Sequence, residues 1–190
     1  MNHKTLPKGY RYFATLDFTR NRRQIMAVLK LAIALTVIPL IIGIVVTVMK
    51  PEVLGFLKRW KLWLSMFAML IAYIPLHELT HGAVMFALSG VKPTFGVKLP
   101  YAYAGSTAWF DRRSHVITAL APLIVWGAVL FTLMITLPPR WFWPLLIVQI
   151  SNLSGSAGDI YCAWVLMKMD GDLLIQDTGT RMRVMRYVEK

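Results

Sequence analysis

The chain has 190 residues, is 57% hydrophobic and carries a formal charge of +12, with a mean hydropathy of +0.56. That is too apolar for an ordinary water-soluble domain and suits a multi-pass membrane protein of one domain. Lys and Arg cluster outside the apolar runs without any nucleic-acid-binding motif, which argues against DNA or RNA as partner, and the lone Cys162 excludes an intrachain disulfide or a multi-cysteine zinc site.

The expected organisation is a basic cytoplasmic arm over 1–28, a membrane-embedded core over 29–168 and a cytoplasmic tail over 169–190. In the arm, Tyr10-Arg11-Tyr12-Phe13 and Phe18 suggest a segment lying on the membrane surface or a short strand, against a free arm as the alternative. Leu29–Met49 reads as the first span, kinked at Pro39, and as too long an apolar run for a cleaved signal peptide. The aromatic and cationic stretch Phe56–Trp63 suits the headgroup region. The second span, Leu62–Leu88, would be about 40 Å long at 1.5 Å per residue. It exceeds the hydrocarbon core, and Pro75 gives it a reason to bend before Gly90 closes it.

The connection over 91–115 is punctuated by Gly90, Pro93, Gly96, Pro100 and Gly105. Val91–Lys98 and Tyr101–Ala104 read as strands of a hairpin or an edge. Val116–Leu137, with Pro122 near its start, is the third span. Pro138-Pro139-Arg140 turns the chain into a fourth, Trp141–Met167, with an aromatic end. Asp177-Thr178-Gly179-Thr180 is a turn before a possible strand over Arg181–Val188. The expected fold class is mainly α: a polytopic bundle of about four transmembrane helices with a short β hairpin or edge strand between helices 2 and 3.

Four spans place both termini and the 91–115 connection on one side, which then holds sixteen of the Lys and Arg residues against five on the other. The imbalance puts the termini in the cytoplasm and makes this a multi-pass protein of the cell membrane.

Within the second span stands His77-Glu78-Leu79-Thr80-His81. Histidines four residues apart share a helix face, so both imidazoles can reach one metal ion, and Glu78 beside them can activate a water. Glu78 is the only glutamate inside any span, and ionisable groups at that depth are expensive unless they serve a purpose. A hydrolytic zinc site needs a third protein ligand. Asp159, His115, Asp111 and Asp170 are the candidates. Asp159 matches the histidines in depth, because it lies eight residues from the inner end of its helix where they lie eleven and seven from theirs. Asn152 lies two turns before Asp159 on the same face. Either it donates to the oxygen that turns negative during hydrolysis, or it ties helices together. Leu153 to Gly158 between them is small and polar enough for close packing or local unwinding.

These residues carry a resemblance. His77-Glu78-Leu79-Thr80-His81 followed by Asn152 and Asp159 on a later helix resembles the site-2 protease family of intramembrane zinc metalloproteases. A fuller resemblance is to a small zincin peptidase family of integral membrane proteins. It covers Leu76–His81, Lys92–Lys98, Ala119–Pro122, Ser154–Asp159 and Asp177-Thr178-Gly179. The chain departs from the site-2 pattern in having Ile160 after Asp159 and no proline between Asn152 and Asp159. The resemblance implies a Zn2+-dependent endopeptidase with His77, His81 and Asp159 as ligands and Glu78 and Asn152 as catalytic residues. Its partners would be the lipid bilayer and a membrane protein or peptide substrate. A non-catalytic zinc-binding scaffold is the alternative. A transporter is disfavoured by so few spans and no inverted repeat.

Overall fold

The computed structural model describes residues 2–17, 21–98, 101–179 and 181–188. Phe18, Arg20, Pro100, Thr180 and Lys190, which entered the sequence reading, lie outside them. Among the described residues, three helices are long and apolar enough to cross a membrane: α1 (Arg22–Met49), α2 (Trp60–Ser89) and α3 (Arg112–Thr136). Their ends follow local chemistry. Asn21 Oδ1 accepts the backbone N–H groups of Arg23 and Gln24 at 3.1 and 3.3 Å, capping α1. Asp111 Oδ1 accepts the Ser114 N–H at 2.8 Å and caps α3. Gly90, at φ +65°, ends α2 in the left-handed conformation that glycine adopts without strain. Pro39, Pro75 and Pro122 each lie inside a helix, as the sequence required.

The stretch expected to be a fourth span is not one continuous helix. It forms α4 (Phe142–Gly155) and α5 (Ala157–Lys168), separated at Ser156. Gly155 and Gly158 flank the break, and each lowers helix propensity by about 1 kcal/mol relative to alanine. The Ser156 N–H still donates to the Asn152 carbonyl at 3.1 Å, so the last turn of α4 stays closed. Among the described residues, three helices of spanning length are thus found where four spans were expected, and α4 (14 residues) and α5 (12 residues) are each shorter than any of them.

The chain divides into two compact units. The first comprises Met1–Ala27, His77–Ala121 and Gly158–Lys190. It contains an antiparallel sheet of order β1-β6-β5-β4, built from Tyr10–Leu16, Met182–Tyr187, Leu173–Asp177 and Phe110–Asp111. The arm thus supplies a strand: β1 pairs with β6 from Tyr10↔Tyr187 to Leu16↔Met182, with an irregularity between Tyr12 and Ala14. In β6, Met182 and Val184 are buried and Arg183 is exposed, the period of two that a one-sided sheet demands. Leu16, Leu173, Ile175, Met182 and Val184 close a core with Cys162 and Leu166 of α5. A separate hairpin, β2 (Thr94–Lys98) and β3 (Tyr101–Gly105), pairs in register from Thr94↔Gly105 to Lys98↔Tyr101. Asn2 fastens the arm. Its Nδ2 donates to the Leu88 carbonyl at 2.9 Å, and its Oδ1 accepts the Asp111 N–H at 3.0 Å.

The second unit comprises Val28–Leu76 and Pro122–Ala157. Its core is Tyr73, Leu130, Leu145 and Val148. Trp143 Nε1 donates to Thr47 Oγ1 at 3.0 Å, and Gly43 leaves room for the Leu146 and Trp143 side chains. Large apolar side chains on α1, such as Ile33 (53% exposed) and Val48 (77%), stay uncovered, which suits lipid as the solvent.

Candidate metal centre

The centre is assembled within the first unit. His77 and His81 are buried one turn apart on α2, and their Nε2 atoms lie 3.2 Å from each other. Asp159, in the first turn of α5, brings Oδ2 to 3.4 Å from His77 Nε2 and 3.6 Å from His81 Nε2. Among the described residues, these ligand atoms form a group lying within 4.8 Å of one another that can hold a metal ion. The spacing has a chemical meaning. Bonds of 2.0–2.1 Å at tetrahedral angles put ligand atoms about 3.3 Å apart. Two imidazole nitrogens and a carboxylate oxygen at such separations fit the donor set of zinc, and with three protein ligands a fourth position would be left for water or substrate.

Surrounding groups orient these side chains. His81 Nδ1 lies 2.9 Å from the Thr118 carbonyl. An N–H donated there leaves the Nε2 lone pair facing the other two ligand atoms, the usual arrangement behind a metal-bound histidine. Thr118 is in turn held by its hydroxyl, which donates to the Ser114 carbonyl at 3.0 Å. The partly buried Glu78 carboxylate accepts the Ala104 backbone N–H, so β3 lies against the motif. The Phe95 ring and Pro93 Cγ occupy the space that a side chain at position 82 would need, so Gly82 admits the hairpin to α2.

The other ligand candidates have different surroundings. Asp111 caps α3, and Asp170 is exposed. His115 is buried with its Nε2 4.0 Å from Asp177 Oδ2 and 3.9 Å from Cys162 Sγ. In the sequence, Asp177 reads as part of a turn and of the segments that carry the family resemblance, without a role at the site, yet it joins several elements. Its backbone carbonyl accepts the Ser106 N–H at 2.7 Å, and its Oδ1 accepts the Gly179 N–H at 2.8 Å. Burial pushes its carboxyl up to about 6. The Asp177-Thr178-Gly179 pattern was the visible signal, since a glycine at φ +79° two residues after an aspartate marks a built turn. The Thr118 carbonyl and the Ala104 N–H carried no signal, because any residue supplies a backbone group.

Asn152 belongs to the second unit and is fully buried. Its Oδ1 accepts the Tyr73 hydroxyl at 2.8 Å, and its Nδ2 donates to the Leu123 carbonyl at 3.3 Å. The amide therefore links α2, α3 and α4 within that unit.

The family described as "Putative zincin peptidase" matches residues 70–174, more than half of the chain. The match includes both histidines, Glu78 and Asp159. The "Uncharacterized 24.7 kDa protein in gap 5'region" of Pyrococcus woesei is 32% identical over 119 residues, which cover 60% of this chain and 51% of that protein. The chain thus spans about half the length of the curated relative it matches. No solved structure matches. The ligand atoms gathered from α2 and α5 and the match over residues 70–174 lead to one conclusion: the chain belongs to the zincin peptidase family so described.

Proposed function

We propose that this protein is a zinc-dependent endopeptidase that works inside the membrane on membrane or membrane-associated proteins. The observation that carries the reading is the convergence of His77 Nε2, His81 Nε2 and Asp159 Oδ2, with two of the three on a helix of membrane-spanning length. His77, His81 and Asp159 would hold the metal. When bound, zinc supplies Lewis acidity, which polarises a carbonyl and acidifies water. Glu78, adjacent to His77, takes the proton of the attacking water and delivers it to the departing amine. The Ala104 N–H restrains the Glu78 carboxylate, and the Thr118 carbonyl holds the His81 ring. Among the described residues the hairpin is a sheet of two strands, and the outer edge of β2 would offer backbone groups to an extended substrate. The site faces the cytosolic half of the bilayer if the Lys and Arg asymmetry sets the topology. His115, which a closed structural zinc site would recruit as fourth ligand, is not among the ligand atoms gathered within 4.8 Å of one another in the described residues, and this favours the open, catalytic reading over a scaffold.

The test compares membranes containing wild type or Glu78→Gln, with zinc measured on both purified proteins. The expected result is equal zinc and a set of membrane proteins that persist uncut only with Glu78→Gln. Identical membrane proteomes with equal zinc would remove the peptidase reading and leave the scaffold.

A further inference from the structure

A concavity of about 360 Å3 in the second unit is lined by Lys58, Arg59, Lys61 and Arg140 together with Trp60 and Trp141. None of its lining residues is acidic. It forms where two 3-10 turns, Pro51–Phe56 and Pro139–Trp141, pack against each other beside the first turn of α2. The connections over 50–61 and 138–140 contain five cations, and only Lys50 lies outside the concavity. Their one carboxylate, Glu52, is not part of the lining either.

Like charges a few ångströms apart repel by about 1 kcal/mol per pair even in water-like surroundings. The four cationic side chains are exposed and line one concavity without a carboxylate, which makes it receptive to an anion from outside the chain. The surroundings indicate which kind. Trp60 is 69% exposed at the start of a membrane-length helix, where aromatic rings mark the headgroup level. Leu57 and Leu64 beside it are 54% and 61% exposed, an apolar surface suited to an acyl chain and of no use to a free ion. Arg59 and Arg140 offer planar forks that match a phosphate, and the lysines add point charges.

We propose that this concavity binds the phosphate of an anionic phospholipid headgroup. The inference rests on the second unit alone and is independent of the metal centre. It is tested by native mass spectrometry of the full chain released from detergent and titrated with phosphatidylglycerol or phosphatidylcholine. One phosphatidylglycerol should be retained per chain, with phosphatidylcholine retained about tenfold less. Arg59→Gln with Arg140→Gln should lower phosphatidylglycerol retention about tenfold, while Lys50→Gln should leave it unchanged. Lys61→Gln and Arg140→Gln as single changes, each expected to cost about threefold, keep the test open if the double variant fails to fold. Equal retention of the two lipids, or wild-type retention by the folded variants, overturns the proposal. So does displacement of the lipid by millimolar inorganic phosphate, which would make this a free-phosphate site.

Discussion

His77 Nε2 and Asp159 Oδ2 lie 3.4 Å apart, although the β2–β3 hairpin and helices α3 and α4 separate them in the chain. Removing the charge while keeping the shape, as in Asp159→Asn, should weaken zinc binding on the order of a hundredfold. Competition against a chromophoric chelator measures this. Asp170→Asn, at an exposed position, should bind zinc as wild type does. Equal affinities for wild type and Asp159→Asn would exclude Asp159 as a ligand.

Gly82 and Gly158 make opposite predictions. A Cβ at 82 would run into the Phe95 ring and lie 3.2 Å from Pro93 Cγ, whereas one at 158 would meet nothing within 4 Å. Gly82→Val should cost about 1–3 kcal/mol through overpacking. Gly158→Ala, inside α5, should gain up to about 1 kcal/mol from helix propensity. Thermal unfolding in detergent reads both, and a destabilised Gly158→Ala would mean that this helix start needs glycine for another reason.

Asp177 predicts a pH dependence. Burial raises its carboxyl from 3.8 to about 6 in the folded chain. The folded state therefore holds the proton more tightly than the unfolded state does. The resulting stabilisation is complete below about pH 4 and is lost as pH rises through about 6, on the order of 3 kcal/mol in all. Unfolding followed with EDTA present, so that metal release does not overlie the curve, should show this slope in wild type. Asp177→Asn should lack it.

Asn152 and Tyr73 separate two functions. If the amide is an interhelical tie, Tyr73→Phe and Asn152→Ala each cost about 1–3 kcal/mol of stability and couple in a double-mutant cycle. If Asn152 also donates to the substrate oxygen, Asn152→Ala slows cleavage at least about a hundredfold, while Tyr73→Phe does not. The ratio of their kcat values decides.

The local features were legible in the sequence. The apolar runs read as α1, α2 and α3, the Gly and Pro spacing as the β2–β3 hairpin, and the stretch after Asp177 as a strand. Each of these depends on neighbours within a few residues. The arm was ambiguous because Tyr10–Leu16 becomes a strand only through pairing with β6, at the far end of the chain. The break at Ser156 had its signal in the small residues around it, but hydropathy alone does not distinguish a broken apolar segment from a continuous one. The gathering of Lys58, Arg59, Lys61 and Arg140 was visible as charge and invisible as a cavity, because Arg140 reaches the others only through packing of distant turns.

What the sequence determined by itself is the helix that presents His77, Glu78 and His81, since a spacing of four residues fixes a shared face whatever surrounds it. Depth along the helices singled out Asp159 as the partner of that face, and the tertiary structure decided how the groups meet it. Asp159 Oδ2 stands at ligand distance, the Thr118 carbonyl lies behind His81, and the Ala104 N–H reaches Glu78. The reason is physical. A helix face follows from bonds between residues four apart, whereas convergence of α2 with α5 and β3 follows from the summed packing of the whole first unit, and no local pattern encodes that sum.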